Sequence, residues 1–168
     1  QTCALPILAI FSAGVQRFIR IIPIGGNYFT NAIAKRLGVS TQEAETLKIT
    51  QGMVPLPGQP LGSSENEQLA TIISGVMDEL VMEIRRSIDY FHLQNREDVA
   101  RLITTGGGIV LRNMDAFIAQ ALGLRVEIAD PLSLLHPSSV HCAPQLLASA
   151  GPIFSVAIGL ALRGVQEW

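Results

Sequence analysis

Ile103–Pro131, with the sequence ITTGGGIVLRNMDAFIAQALGLRVEIADP, is the stretch that decides the fold. The residues RLITT, Arg101–Thr105, are typical of a short strand, and three glycines follow directly. Apolar residues then recur at helical spacing over Met114–Leu122, Gly123 ends this helix, and alternation around Val126 predicts a second strand. Strand, helix and strand in this order predict a β-α-β unit with parallel strands.

The glycine run, Gly106, Gly107 and Gly108, indicates either a turn or a ligand site. A strand that leads through glycines into a helix presents unpaired N–H groups and the positive end of the helix dipole. A phosphate or a ribose fits such a place, but glycines also occur wherever a sharp turn needs positive φ. The run is not a dinucleotide fingerprint, because Leu111 occupies the third glycine position, and the sequence has no Walker Gly-Lys-Ser/Thr. Both interpretations stay open on the run alone.

The N-terminal part of the chain predicts a hairpin followed by a helix. Leu8–Ser12 and Val15–Ile22 are rich in β-branched and aromatic residues and are joined by Ala-Gly. The pair Gly25–Gly26 breaks this pattern, Asn27 is the expected N-cap of the helix, and Gly38 is its expected end.

A second helix with a pair of opposite charges follows. Ser40 and Glu43 have the spacing of a capping box. Glu45 and Lys48 lie three residues apart on a neighbouring strip of the helix, so both charges can face one cleft. The alternative is a surface ion pair worth well under ~1 kcal/mol.

The middle and the end of the chain predict a loop and two more helices. Gly52–Glu67 is rich in proline and glycine, which indicates a loop. Pro152–Leu162 is apolar nearly all round, the pattern of a fully buried helix. Between them, a long helix is predicted from apolar residues at steps of three and four: Leu69, Ile72, Ile73, Val76, Leu80, Ile84, Ile88 and Phe91.

The composition excludes several classes of protein. Lys and Arg total 12 against 14 for Asp and Glu in 168 residues, so no strong field exists to attract nucleic acid or an anionic membrane. The longest apolar runs are shorter than the ~20 residues that a membrane-spanning helix needs. We therefore expect one domain or two small subdomains with a large core.

Other site chemistries are not indicated. His136, His141 and Cys142 lack a C-x-x-C or H-E-x-x-H partner motif, so we assign no metal. Glu127 and Asp130 could form an acid/base pair, but a carboxylate at a strand end beside a proline usually caps a turn. The sequence also lacks the G-x-S-x-G of a serine nucleophile, and we assign no catalytic residue.

The first seven residues, QTCALPI, fit nothing that follows. They are the translation of CAG-ACG-TGT-GCT-CTT-CCG-ATC, which resembles a sequencing adapter, so we expect residues 1–7 to be foreign to a truncated gene. The alternative is a native terminus with a chance match. If Cys3 is foreign, Cys142 is the one native thiol, which favours a reducing compartment.

Several ordered segments together resemble the C-terminal half of the PilM family of type IV pilus assembly proteins. They are FIRIIPIGGNYFTNAIAKRLG, AETLK, EIRRSIDYF, TTGGGIVLRNMDAFIAQALGLRV and VAIGLALRG, and the resemblance covers nearly everything from Leu8 onward. This family is similar to the cell-division protein FtsA, and both belong to the actin and Hsp70 superfamily. The segment EIRRSIDYF, Glu83–Phe91, is the most specific and favours PilM over FtsA.

The resemblance implies an α/β protein with the second lobe of the actin-like ATPase (ribonuclease H-like) fold and a small inserted α/β subdomain. Residues 8–26 and 96–168 would form the core subdomain. Residues 27–95 would form the peripheral subdomain and the long helix. The lobe would close on ATP and magnesium together with a first lobe.

The resemblance also implies which residues bind the adenosine part of ATP: Gly25, Gly26, Glu45, Lys48, Gly106, Gly107 and Gly108. Gly106–Gly108 would let the backbone touch the base and sugar, and Gly25–Gly26 would lie below the ribose. Glu45 and Lys48 would lie on the helix that closes over the adenine or ribose edge.

The two phosphate loops of the superfamily each carry an Asp, and this chain has no Asp before Asp78. The magnesium ligands would therefore lie outside it, with the second loop directly upstream of Leu8. The resemblance implies a cytoplasmic scaffold at the inner membrane, with at most slow hydrolysis in the intact parent, whose first lobe binds a PilN-like membrane protein.

Two other functions within the superfamily stay open. One is an FtsA-like membrane tether, whose C-terminal amphipathic anchor would follow the last helix. The other is a sugar-kinase-like phosphotransferase, which would need a substrate-binding acid in the other lobe. Self-association is compatible with all three interpretations.

Overall fold

The computed structural model describes residues 6–59, 64–134 and 151–166. His136, His141, Cys142 and Cys3 lie outside these residues. The elements are β1 (Ile7–Ser12), β2 (Val15–Ile21), α1 (Gly26–Leu37), α2 (Thr41–Gln51), α3 (Ser64–Asn95), β3 (Arg101–Thr104), α4 (Met114–Leu122), β4 (Arg125–Ile128) and α5 (Ser155–Gln166). Short 3₁₀ helices lie at Gly107–Val110, Pro131–Leu134 and Gly151–Phe154.

The strands of the described residues form two separate pairs. β1 and β2 are antiparallel, from Ile7 opposite Ile21 to Ser12 opposite Val15. β3 and β4 are parallel, with Arg101 opposite Arg125, and α4 lies between them in the chain. The predicted β-α-β unit is therefore confirmed.

The core surrounds α3, which is 32 residues long. Its predicted apolar positions are buried except Ile88, which is half-buried, and Met77 and Val81 extend the buried face. α1 and α4 pack against this helix. The core also includes Leu8 of the hairpin, Phe29 of α1 and Ile118 of α4. One long helix thus connects the parts that carry the predicted site residues.

The segment Glu83–Phe91 attaches the hairpin to α3. Arg20 of β2 donates hydrogen bonds from Nη2 to Glu83 Oε2 at 2.6 Å and from Nη1 to Ser87 Oγ at 3.1 Å. The rings of Phe18 and Tyr90 lie 5.8 Å apart between centroids. The most specific part of the sequence therefore builds an interface between two elements.

The end of α1 and the start of α2 follow the sequence signals, whereas the start of α1 does not. Asn27 is not the N-cap of α1: the helix begins at Gly26, and Gly25 is an N-cap without a side-chain hydrogen bond. The prediction was wrong because the Gly25 carbonyl already accepts the Tyr28 N–H at 2.9 Å, which closes the first turn one residue earlier. Gly38 ends α1 in the left-handed region, as predicted.

The glycine run does not lead directly into an α-helix. A 3₁₀ helix, Gly107–Val110, follows β3, and α4 begins only at Met114. Asn113 precedes α4 with a φ of 66° and gives no side-chain cap, because its amide donates instead to the Val54 carbonyl at 3.0 Å. The sequence had indicated that the amino end of α4 directly follows the run, and this expectation was wrong.

The last helix is not buried. α5 begins at Ser155 rather than Pro152, and Val156, Leu160 and Leu162 are 73%, 67% and 53% exposed. A helix that is apolar all round needs neighbours on all sides, and within the described residues its close neighbours are short 3₁₀ segments. The prediction of a fully buried helix was therefore wrong for this chain. None of the helices in the described ranges has the length and apolar character needed to span a membrane.

Candidate functional site

The amino end of α1 and the carboxyl half of α2 meet at the Lys48 ammonium group. Lys48 Nζ donates to the Gly26 carbonyl at 3.2 Å, to Thr30 Oγ1 at 2.8 Å and to Glu45 Oε2 at 2.7 Å. The Lys48 side chain is only 16% exposed. Three of the residues implied by the family resemblance are thus in direct contact, and Gly25 precedes Gly26 as the N-cap of α1.

Thr30 completes this cluster and was not among the predicted site residues. Its residue exposure is 2%, and Oγ1 lies 2.5 Å from Glu45 Oε2 and 3.1 Å from the Gly26 carbonyl. The signal was present, since a hydroxyl four residues after Gly26 lies over that residue on a helix. We call Gly26, Thr30, Glu45 and Lys48 the α1–α2 polar cluster.

Glu45 is held in its charged form. Burial raises its pKa, but the hydrogen bonds from Lys48 and Thr30 and the charge of Lys48 outweigh burial, so the pKa is below its ordinary value. Both hydrogen bonds go to Oε2, and the side chain is 43% exposed. The group is an ionised acceptor at the edge of the cluster.

The glycine run offers backbone with free space above it. Gly106 has a φ of 98° and donates its N–H to the Pro152 carbonyl at 2.9 Å, so its conformation favours glycine. Gly107 and Gly108 do not have positive φ, and a Cβ on either would meet no described atom within 4 Å. Among the described residues, neither backbone conformation nor packing requires glycine at these two positions.

The segment that follows the glycine run lies against the end of α2. Arg112 bridges to Met53, and its carbonyl accepts the Val54 N–H at 2.9 Å. A Cβ on Gly52 would lie 2.8 Å from Leu111 Cδ1, which shows how closely the two segments pack. No hydrogen bond between described residues joins the α1–α2 polar cluster to the run itself. Among the described residues, the two groups of predicted residues are thus linked indirectly, through the contact between Gly52–Val54 and Leu111–Arg112.

The predicted carboxylate pair does not form a site. Glu127 lies 2.8 Å from Arg125 Nε and 3.5 Å from Arg101 Nη1. Asp130 Oδ1 accepts the Leu132 N–H at 3.1 Å and so caps the turn, as is usual for a carboxylate at a strand end beside a proline. In residues 6–59, 64–134 and 151–166, no group of three or more His, Cys, Asp and Glu could hold a metal.

Comparisons with known proteins agree with the resemblance. The family model described as "Type IV pilus assembly protein PilM" matches residues 3–165. The cell division protein FtsA of Pseudomonas aeruginosa is 30% identical over 175 residues, which are 95% of this chain and 40% of that protein. FtsA of Escherichia coli K12 is 24% identical over 180 residues, covering 95% of this chain and 41% of that protein. The chain therefore spans about two fifths of the length of these relatives.

Solved structures show the fold. A PilM-PilN type IV pilus biogenesis complex matches with a TM-score of 0.77 and 28% identity, over 95% of this chain and 42% of that chain. MreB 5 of Spiroplasma citri, bound to AMPPNP, matches with a TM-score of 0.58 and 16% identity, over 94% of this chain and 51% of that chain. The ethanolamine utilization protein EutJ of Carboxydothermus hydrogenoformans matches with a TM-score of 0.56 and 17% identity, over 89% of this chain and 45% of that chain.

These structures share the actin-like ATPase fold, which confirms the predicted fold class. The family model covers nearly the whole chain, and the PilM complex has a higher identity to this chain than MreB 5 or EutJ has. The chain belongs to the PilM family of type IV pilus assembly proteins.

Proposed function

We propose that this chain is the second lobe of an actin-like scaffold of the pilus assembly platform and binds the adenosine part of ATP. One observation carries the proposal: Gly107 and Gly108 leave open space above exposed backbone although neither packing nor φ requires glycine there. Space that no described residue fills is suited to a ligand that touches the backbone. The α1–α2 polar cluster supplies an ionised acceptor on the neighbouring elements.

The Glu45 carboxylate, a hydrogen-bond acceptor, fits a nucleoside better than a phosphate. A ribose offers hydroxyl donors and adenine offers an amine, and a carboxylate such as Glu45 can accept from either. A triphosphate would be repelled by that carboxylate unless a cation lay between them. The chain thus provides surfaces for base and sugar, whereas magnesium and the phosphates would be held by the phosphate loops of the family. Bound ATP would act as a structural ligand and a switch, and any hydrolysis would need those loops.

Family membership supports a proposal for the partner and the location. The PilM-PilN complex supports a PilN-like partner, and we propose that this partner is a membrane protein bound through the first lobe. We place the scaffold at the cytoplasmic face of the bacterial inner membrane, where such a partner would hold it.

An FtsA-like membrane tether is the second candidate, because FtsA of Pseudomonas aeruginosa is 30% identical over most of this chain. The two candidates differ in what they bind. A scaffold of the PilM kind would co-purify with a PilN-like tail, whereas a tether would bind lipid vesicles without that partner.

Calorimetric titration with a non-hydrolysable ATP analogue tests the proposed site. It needs a two-lobed polypeptide that contains this sequence, since this chain supplies one side of the site. We expect Gly107→Val to weaken binding more than Glu45→Ala, because a branched side chain blocks backbone contact whereas one hydrogen bond is worth about 0.5 to 1.5 kcal/mol.

Gly75→Ala is the matched control, because Gly75 is an exposed glycine of α3 and a Cβ there also meets open space. It should bind like the parent. If Gly107→Val keeps its fold and binds the analogue as tightly as the parent, the glycine run is only a turn and the proposed site is wrong.

A further inference from the structure

We infer that Lys48 and Thr30 are positioning residues that hold Glu45 toward the nucleotide, and that Lys48 itself does not touch the ligand. This inference rests on the proposed function, because it divides roles within the proposed site. The family resemblance implied both Glu45 and Lys48 as ligand contacts. The contacts of the two side chains separate them.

The Lys48 ammonium group has no proton left for a ligand. An ammonium group has three N–H donors and no acceptor. In this chain the three go to the Gly26 carbonyl, Thr30 Oγ1 and Glu45 Oε2, at 3.2, 2.8 and 2.7 Å. With the side chain only 16% exposed, a contact with a ligand would cost one of these bonds.

Glu45 is placed in the opposite way. Its Oε2 atom faces Lys48 and Thr30, and no hydrogen bond to a described residue involves Oε1. The side chain is 43% exposed, so one oxygen is fixed in the cluster and the other can accept from a hydroxyl or an amine. Anchoring one oxygen orients the other, which lowers the entropy cost of ligand binding.

Thr30 couples the two helices. It lies on α1, accepts from Lys48, and its single proton can go to Glu45 or to the Gly26 carbonyl. Lys48 is the charged group in contact with Glu45 among the described residues, and α1 adds only this hydroxyl and the Gly26 carbonyl. Thr30→Val would remove the hydroxyl at nearly constant shape, whereas Thr30→Ser would keep it.

The first test measures the Glu45 carboxylate directly and needs no nucleotide. Carbon-detected NMR titration of this carboxyl group should show a higher pKa in Lys48→Met and in Thr30→Val than in the parent. Burial raises the pKa of Glu45, and each variant removes a hydrogen bond that lowers it. Thr30→Ser should behave like the parent. The matched controls are Lys35→Met and Thr50→Val, since both side chains are exposed and lie on the same two helices. An unchanged pKa in Lys48→Met would show that Lys48 does not fix Glu45.

The second test is a double-mutant cycle with the non-hydrolysable ATP analogue on the two-lobed polypeptide. We expect Glu45→Gln to weaken binding by up to about tenfold, because the amide oxygen can still accept a hydrogen bond but carries no charge. Adding Lys48→Met should cause no further loss, because its effect acts through Glu45. A further loss of about tenfold that shrinks at high salt would show a direct charge contact with the phosphates and would overturn the inference.

The two tests separate this inference from the proposed function. If the parent two-lobed polypeptide does not bind the analogue, the proposed function fails, and the NMR titration alone decides whether Lys48 and Thr30 fix Glu45. If the parent binds and Glu45→Gln binds equally well, Glu45 makes no ligand contact and the inference is wrong. Thr30→Ser should restore the affinity lost in Thr30→Val.

Discussion

Gly52→Ala should destabilise the chain at the junction between α2 and the segment after the glycine run. A Cβ at Gly52 would overlap the Lys48 carbonyl oxygen and would lie 2.8 Å from Leu111 Cδ1. The Leu111 methyl group can move, but the Lys48 carbonyl is backbone and accepts the Gly52 N–H at 3.1 Å. The end of α2 must therefore shift.

The magnitude follows from two terms. Overpacking a buried position costs roughly 1–3 kcal/mol, and a weakened backbone hydrogen bond adds about 0.5–1.5 kcal/mol. We expect a loss of about 2–4 kcal/mol in the free energy of unfolding, or roughly 4–16 °C in Tm for a chain of this size. Urea and thermal unfolding followed by circular dichroism measure both quantities.

Gly75→Ala is the control for this prediction. It makes the same chemical change in an exposed helix interior where nothing lies within 4 Å of the added Cβ. We expect it to stabilise the chain by about 0.5–1 kcal/mol, because alanine favours a helix over glycine. If Gly52→Ala unfolds within about 0.5 kcal/mol of the parent, the tight packing at the junction is wrong.

Three further predictions concern other parts of the chain. The hydrogen bonds from Ser40 lower the pKa of Glu43. The stabilisation that they give is therefore present above the ordinary carboxyl pKa and is lost as pH falls through the lowered pKa. Ser40→Ala should make the free energy of unfolding, measured by urea unfolding, depend less on pH in the acid range. The hydrogen bond to Glu79 raises the pKa of Tyr28, so Glu79→Gln should shift its phenolate titration, followed by ultraviolet absorbance, to lower pH. The exposed apolar side chains of α5 should make the chain bind an apolar dye and elute without a sharp monomer peak, and Leu160→Lys should reduce the dye signal.

Local patterns predicted the regular elements of the fold. The capping box at Ser40 and Glu43 and the end of α1 at Gly38 depend on residues within one turn, so the sequence identifies them directly. The buried face of α3 follows from its helical period over many turns. The parallel pairing of β3 and β4 follows from the helix between them.

Features that depend on distant neighbours were not predictable in the same way. The exposure of α5 depends on which surfaces lie beside it, and a period cannot supply that information. The Asn113 amide donates to the Val54 carbonyl, and a local pattern does not indicate a contact between segments so far apart in the chain. The spacing of Thr30 from Gly26 indicates that they are neighbours on α1, but its partners Glu45 and Lys48 on α2 become evident only when the two helices are placed together.

The segment Glu83–Phe91 shows how a specific motif can be structural. The sequence linked it to the family but gave no reason for its residue types. In the fold, Glu83 and Ser87 accept hydrogen bonds from the guanidinium group of Arg20, and Tyr90 lies beside Phe18. The motif therefore attaches the hairpin to α3. Gly25 and Gly26 follow β2 after three residues, and α1 begins at Gly26. Because the chain runs from β2 through this glycine pair into α1, we expect the position of the hairpin on α3 to influence the amino end of α1, where Gly26 of the α1–α2 polar cluster lies.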